Sequence, residues 1–132
     1  MCDCFRVLIV DDEMFTGEII ASFTRYAFEY IYGNEVEVKI SLEISAVKAY
    51  KTLSDGQYDL LLTDCEMPEV NGVELIKKVR KNEKTKKISI IGVSSYPGNK
   101  RPMMEAGADY FIGKPFELNR FADAVEKVLN KE

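Results

Sequence analysis

Charged side chains follow three apolar runs of the chain, at the point where each run ends. They are Asp11 and Asp12, Asp64, and Lys114. The runs are short and almost continuously apolar, which is typical of buried strands in a parallel sheet. Because the carboxyl ends of parallel strands meet at one edge of a sheet, where ligands bind, we expect these charged groups to lie close together there.

Such a group of side chains suits metal-assisted phosphoryl transfer. Close carboxylates repel each other by about 4 kcal/mol per pair at an effective dielectric constant of about 20, and Mg²⁺ prefers hard oxygen ligands of this kind. Two of the three carboxylates would hold the cation, and Asp64 would keep an oxygen free as a nucleophile. Lys114 and the hydroxyl groups of Ser94 and Ser95, which end another apolar run, would bind the phosphoryl oxygens.

Five apolar runs alternate with five stretches in which apolar residues recur at helical spacing. The predicted strands cover residues 5–10, 35–40, 58–63, 88–93 and 109–112. The predicted helices cover residues 15 to about 31, 45–53, 73 to about 81, roughly 100–106, and 116–129. This alternation predicts a doubly wound (βα)5 α/β fold, a flavodoxin-like three-layer sandwich with parallel strand order 2-1-3-4-5. The first and third strands are neighbours in that order, which would bring the three aspartates together.

The bulk composition indicates one ordinary globular domain. Of the 132 residues, 46% are hydrophobic and 30% charged, so we expect a single domain over residues 1–132 with its core at about 5–130. The net charge of −4 argues against direct nucleic-acid or membrane-surface binding. No apolar run approaches the roughly 20 residues of a membrane span, and the acidic start is unlike a signal peptide, so we expect a cytoplasmic location.

Histidine is absent from the chain, which excludes a Ser-His-Asp triad and any phosphohistidine on it. A step that uses histidine would need a partner protein. Cys2 and Cys4 are one residue apart near the start, but no second cysteine pair or histidine completes a zinc site. We therefore interpret both cysteines as ordinary small residues.

Four motifs together resemble the receiver domain of the two-component response regulators. They are VDDE at residues 10–13, DCEMPEVNG at 64–72, IIGVSS at 90–95 and GADYFIGKPF at 107–116. Each motif alone is weakly specific. All four occur in order at predicted strand ends, however, and the resemblance covers nearly the whole chain.

The resemblance implies a role for each residue of the site. Asp64 would be the phospho-acceptor and would also face the metal. Asp12 would bind Mg²⁺ directly, Asp11 would act on it mainly through water, and the backbone carbonyl of Glu66 would complete the metal site. Lys114 would pair with the phosphoryl group.

The resemblance also implies a conformational switch. Ser94 matches the switch serine or threonine, Phe111 matches the switch aromatic, and Pro115 would follow a cis peptide bond. The donor would be a histidine kinase or a histidine phosphotransfer protein. Phosphorylation would change the face formed by the fourth helix, fifth strand and fifth helix, for a downstream protein target or a phosphorylation-dependent dimer. Beyond catalysing its own phosphorylation and dephosphorylation, such a domain would not be an enzyme.

The sequence departs from the family pattern at several positions. Extra residues fall at about 26–35, where they form either a partner site or simply a longer helix. Gly92 stands where alanine is common, which would loosen its strand or make room for Phe111 to turn inward. Glu66 and Tyr96 occupy positions that tune dephosphorylation in the family.

Other interpretations of the same residues remain open at this point. The stretch at residues 64–68 resembles receivers of hybrid histidine kinases, so the chain is either a free regulator without an output domain or a receiver cut from such a kinase. A magnesium-dependent phosphatase with an aspartyl nucleophile is less favoured, because Glu66 stands where those enzymes typically carry a second aspartate and the chain has no cap domain. A degenerate receiver that only binds partners is disfavoured by the complete set of acids and lysine.

Overall fold

The computed structural model describes residues 3–130, and within this range five strands alternate with five α-helices. The strands are β1 (Asp3–Val10), β2 (Val36–Glu43), β3 (Leu60–Asp64), β4 (Ser89–Ser94) and β5 (Tyr110–Gly113). The helices are α1 (Met14–Tyr32), α2 (Ala46–Asp55), α3 (Gly72–Lys81), α4 (Lys100–Ala106) and α5 (Leu118–Leu129). The predicted elements are confirmed, with ends that differ by a few residues. Cys2, one of the two cysteines interpreted above, lies outside the described residues.

Polar residues at the helix starts explain where two of the helices begin. The side chain of Ser45 accepts a hydrogen bond from the backbone N–H of Lys48 at the start of α2. Asn71 does the same for the N–H of Glu74 at the start of α3. Each bond satisfies a helix N–H that has no partner within the helix, and such caps contribute about 1 kcal/mol.

All neighbouring strands are parallel, and their order is β2-β1-β3-β4-β5, as predicted. The register of the strands fixes which residues meet at the carboxyl edge. Val10 pairs with Thr63, and Ser94 pairs with Gly113. The residues that follow these pairs therefore emerge side by side, and they include the acids and the lysine singled out above.

Helices cover both faces of the sheet, which gives the three layers expected from the sequence. One core cluster joins α1 and α5 to the sheet, with Phe28, Leu62 and Phe121 among its buried members. The other joins α2, α3 and α4, with Leu53 and Ile76 fully buried. Burying side chains of this size contributes about 1.5–3 kcal/mol each. Among the helices of residues 3–130, none is long and apolar enough to cross a membrane.

The first turns of α1 depart from the apolar pattern. The helical spacing starts at Phe15, yet Phe15 is 75% exposed and Ile19 is 40% exposed. The buried position in this part of the helix belongs to Gly17, which packs near Leu42. The buried face of the helix begins to bury apolar side chains only at Ile20. The start of α1 therefore presents apolar side chains to solvent beside the carboxyl edge.

The extra residues at about 26–35 form the last turns of α1 rather than a long loop. The helix ends at Gly33, whose φ of 64° lies in the region that favours glycine. Near this end the ring of Phe5 lies 5.2 Å from that of Phe28 and 5.3 Å from that of Tyr32. The longer helix thus extends the core along β1, which agrees with the simpler of the two interpretations of the insertion.

A half-buried arginine ties α3 to the segment before β4 and to the segment after α4. The guanidinium of Arg80 donates to the carbonyl of Gly107 at 2.9 Å and to two carbonyls of the segment between α3 and β4. It also donates to the carboxylate of Asp109 at 2.9 Å, and the same carboxylate accepts from the N–H of Ile90 at 2.8 Å. These bonds fix the entry to β5, the strand that carries Lys114 at its end.

Candidate functional site

The predicted site residues converge on one cavity of about 290 Å³ at the carboxyl edge of the sheet. Its lining includes Asp11, Asp12, Asp64, Ser94 and Lys114. Each of these residues ends a strand or lies within two residues of a strand end. The parallel register explains the convergence, because neighbouring strands end at nearly the same level, with Val10 beside Thr63 and Ser94 beside Gly113.

Three carboxylates form an acidic cluster on one side of this cavity. Asp11, Asp12 and Asp64 each offer an oxygen, and these oxygens lie within 4.8 Å of one another. The burial of the three differs, because Asp11 is 3% exposed while Asp12 is exposed. The N–H of Glu13 donates to Asp11 at 2.9 Å, which holds the buried carboxylate in place.

The position of Asp64 makes its ionisation unfavourable. Burial raises the pKa of Asp64 to about 6 from an ordinary value of 3.8. The negative charges of Asp11 and Asp12 contribute to this raised pKa. The ammonium of Lys114 and the N–H of Cys65 act in the opposite direction, because both stabilise the charged form. An added cation would relieve this repulsion, which is the electrostatic property expected of a cation-binding cluster.

Lys114 bridges the two halves of the cluster. Its Nζ lies 3.2 Å from Oδ2 of Asp11 and 3.7 Å from Oδ1 of Asp64, and its side chain is only 20% exposed. Its backbone N–H donates to the carbonyl of Ser94 at 2.8 Å, which continues the pairing of β4 with β5. The peptide bond between Lys114 and Pro115 is cis, as the resemblance implied.

The loop after β3 presents Asp64 to the cavity. Oδ1 of Asp64 accepts from the N–H of Cys65 at 2.9 Å, whereas Oδ2 has no hydrogen-bond or ion-pair partner in residues 3–130. Gly72 packs directly against the backbone here, since a Cβ at this position would overlap the carbonyl oxygen of Asp64. The backbone carbonyl of Glu66 accepts no hydrogen bond from the described residues. One oxygen of Asp64 and one carbonyl are thus available to ligands.

Ser94 is buried at 1% exposure and held by two donors. Its Oγ accepts from the N–H of Tyr96 at 3.1 Å and from the side-chain amide of Asn99 at 2.8 Å. Nδ2 of Asn99 lies 3.2 Å from Oε2 of Glu66 as well. Sequence reasoning missed Asn99, because an asparagine just before a helix is typical of an ordinary cap.

Phe111 lies away from the cavity, on the neighbouring part of β5. It is half-buried and packs against the core cluster that contains α4. Its partner across the strands is Gly92, and a Cβ on Gly92 would lie 2.7 Å from the sulfur of Met103. The space that Gly92 provides is therefore filled by Met103 in this conformation, and Phe111 does not occupy it.

Comparison with known proteins agrees with this geometry. The sequence model described as the response regulator receiver domain matches residues 7–126. The chain belongs to this family. The chemotaxis protein CheY of Thermotoga maritima is 33% identical to this receiver domain over 123 residues, which span 93% of this chain and 96% of the relative.

Solved structures show the same fold. A putative response regulator of Chloroflexus aurantiacus superposes with a TM-score of 0.85 at 25% identity, covering 98% of this receiver domain and all (100%) of that chain. The receiver domain of a sensor histidine kinase of Pseudomonas aeruginosa superposes with a TM-score of 0.81 at 19% identity, covering 96% and 98% of the two chains. That structure has a magnesium ion coordinated in its active-site cleft.

Proposed function

We propose that this receiver domain accepts a phosphoryl group on Asp64 from a histidine kinase or a histidine phosphotransfer protein, in two-component signal transduction. The observation that carries the proposal is the position of Lys114, whose ammonium reaches both Asp11 at 3.2 Å and Asp64 at 3.7 Å beside a cavity. A cation between two acids at an open cavity suits a phosphoryl group that arrives with further negative charge.

The transfer itself uses groups that this chain supplies. The free Oδ2 of Asp64 would attack phosphorus, forming an O–P bond while the N–P bond of a phosphohistidine breaks. The imidazole nitrogen of the partner keeps the electron pair and takes a proton. Lys114 and Ser94 would donate hydrogen bonds to the phosphoryl oxygens as charge develops on them. Since the chain itself contains no histidine, the phosphohistidine belongs to the partner.

The residues at the cavity fit a magnesium ion. Their donors are carboxylate oxygens within 4.8 Å of one another, together with the free carbonyl of Glu66, and Mg²⁺ takes oxygen ligands of this kind. We propose that Asp12, Asp64 and this carbonyl hold the ion directly and that Asp11 acts mainly through water. When bound, the ion neutralises charge on the carboxylates and on the phosphoryl oxygens. The magnesium in the cleft of the Pseudomonas aeruginosa receiver domain supports this assignment.

The surface beside the cavity offers a place for the phosphoryl donor to dock. Met14 and Phe15 are 51% and 75% exposed at the start of α1. A groove of about 420 Å³ lies nearby between α1 and the segment that joins β5 to α5, lined by Ile19, Phe23 and Phe116 among others. Contiguous exposed apolar side chains mark interaction sites. We propose that the donor protein covers these apolar side chains. We also propose that the transfer takes place in the cytoplasm, where ATP phosphorylates histidine kinases.

The phosphoryl group would act by shifting the population of two conformations. A charge-assisted hydrogen bond contributes roughly 1.5–3 kcal/mol, so two such bonds from Ser94 and Lys114 approach the roughly 5.5 kcal/mol that takes an equilibrium from 1:99 to 99:1. Movement of Ser94 would let Phe111 turn inward, with Met103 shifting to make room. The face formed by α4, β5 and α5 would then bind a downstream target or a second copy of the chain.

Phosphorylation by a small donor tests the proposal. Incubation with acetyl phosphate and MgCl2 should add about 80 Da, the mass of one phosphoryl group, to the intact chain. Asp64→Asn should abolish the gain, and EDTA should prevent it. Asp123→Asn, which alters an exposed aspartate of α5, is the matched control and should be labelled like the unmodified chain. Equal labelling of Asp64→Asn, or no labelling of the unmodified chain, would contradict the proposal.

A further inference from the structure

Asn99 links the buried hydroxyl of Ser94 to the carboxylate of Glu66. Its Nδ2 lies 2.8 Å from Oγ of Ser94 and 3.2 Å from Oε2 of Glu66. An amide nitrogen carries two hydrogens, so both are used. A carboxylate only accepts hydrogen bonds. The amide of Asn99 must therefore turn its nitrogen, and not its oxygen, toward Glu66 and Ser94.

These bonds replace the ordinary role of an asparagine at the start of a helix. Such a side chain typically accepts a hydrogen bond from a helix N–H. Asn99 directly precedes α4, yet its side chain makes no capping bond. It is half-buried, and both of its partners line the phosphorylation cavity. The side chain is thus directed to the site and not to its own helix.

The hydroxyl of Ser94 is held by these contacts. A hydroxyl oxygen accepts two hydrogen bonds, and Ser94 receives them from Asn99 and from the N–H of Tyr96 at 3.1 Å. Within residues 3–130, no hydrogen bond joins the hydroxyl of Ser94 to the carboxylate of Asp64 or to the ammonium of Lys114. If Ser94 turns about its Cα–Cβ bond toward a phosphoryl group on Asp64, its oxygen leaves the amide and the bond from Asn99 breaks.

We propose that Asn99 is a positioning residue that holds Ser94 in its unphosphorylated orientation, with Glu66 as the anchor of the amide. The inference rests on the proposed function, since it assigns to Asn99 control over how readily the phosphoryl-bound state forms. Loss of the amide removes a hydrogen bond that only the unphosphorylated orientation of Ser94 makes, so it lowers the free energy needed to reach the phosphoryl-bound state. The acidic anchor keeps the amide in place while the site is free of phosphoryl.

Binding of beryllofluoride, a mimic of the phosphoryl group, tests this restraint. With MgCl2 present, the Asn99→Ala variant should bind beryllofluoride about 2- to 10-fold more tightly than the unmodified chain, the factor that corresponds to one net hydrogen bond. Asn119→Ala, which alters an exposed asparagine of α5, is the matched control and should leave the affinity unchanged. Unchanged or weaker binding by Asn99→Ala would overturn the proposal.

A spectroscopic readout separates this role from a merely structural one. In Asn99→Ala without beryllofluoride, the amide resonance of Tyr96 should move part of the way toward its position in the beryllofluoride complex of the unmodified chain. A shift in an unrelated direction would overturn the proposal. In the Glu66→Ala background, the added effect of Asn99→Ala on the affinity should be smaller, because the amide has already lost its anchor. Full additivity would remove Glu66 from the proposal.

The two proposals fail in different ways. If the unmodified chain with Mg²⁺ binds no beryllofluoride and is not labelled by acetyl phosphate, the phosphorylation site itself is wrong. If the unmodified chain binds beryllofluoride and Asn99→Ala binds it no more tightly, only the role of Asn99 is wrong.

Discussion

Replacement of Asp64 by asparagine should stabilise the metal-free protein at neutral pH. The pKa of Asp64 is raised from 3.8 to about 6, and a pKa difference of one corresponds to about 1.4 kcal/mol. The ionised carboxylate therefore costs the fold up to about 3 kcal/mol. Because the side chain is 13% exposed and lines an open cavity, solvent screens part of this energy, and we expect a gain of about 2 kcal/mol in the variant.

The pH dependence of this gain has a definite sign. Below about pH 3 the carboxylate is mostly protonated in both the folded and the unfolded chain, so Asp64→Asn should gain little. Between pH 4 and 6 the folded chain binds more protons than the unfolded chain, so the unmodified protein loses stability as the pH rises. Above about pH 6.5 the difference between the two proteins should be constant. The stability advantage of the variant therefore appears as the pH rises through 4 to 6.

Urea unfolding in EDTA at pH 4, 6 and 8 would measure this difference. Asp123→Asn, at an exposed position of α5 outside the cluster, should show none of it. Addition of Mg²⁺ at 100 times its dissociation constant should stabilise the unmodified protein by about 2.7 kcal/mol but not Asp64→Asn. The variant should then no longer be the more stable of the two. The reasoning is refuted if Asp64→Asn is no more stable than the unmodified chain at pH 8 in EDTA.

Two further substitutions test the packing around the site. Gly92→Ala should lower the free energy of unfolding by about 1–2 kcal/mol, because its Cβ would lie 2.7 Å from the sulfur of Met103. Chemical denaturation would measure this cost, and the cost should be smaller when Met103 is also replaced by alanine. Arg80→Lys should lower the free energy of unfolding by about 2–4 kcal/mol, because lysine cannot reproduce the hydrogen bonds to Asp109 and to three carbonyls. Arg101→Lys is the control, because Arg101 forms only an exposed ion pair with Glu105, and its cost should be about 0.5 kcal/mol or less. Equal costs for the two arginines would contradict this account.

Much of the fold follows from short-range patterns in the sequence. The continuous apolar runs such as 60–62 belong to strands covered on both faces, and alternation with amphipathic helices leaves few topologies. The strand order and register in turn place the residue after Val10 beside the end of β3, and they place Gly113, the residue before Lys114, opposite Ser94. The gathering of the site residues was therefore predictable, because it depends on strand ends and not on side-chain packing.

Other features depend on contacts that no local pattern encodes. The amide of Asn99 bonds to Glu66, 33 positions earlier in the chain, and a pattern search interprets the same residue as a helix cap. One interpretation of Gly92 was that it leaves space for an aromatic ring. In the structure, Met103 of α4 fills this space. The helical spacing of Phe15 is typical of a core residue, so the sequence pattern did not predict that this side chain is exposed.

Identification of the phosphorylated residue tests the central claim most directly. After reaction with acetyl phosphate and MgCl2, borohydride reduction converts an aspartyl phosphate to homoserine, which peptide mass mapping can locate. The account predicts homoserine at position 64 alone. Homoserine at Asp11 or Asp12, or at no position of the acidic cluster, would contradict the assignment of Asp64 as the phospho-acceptor among the three acids.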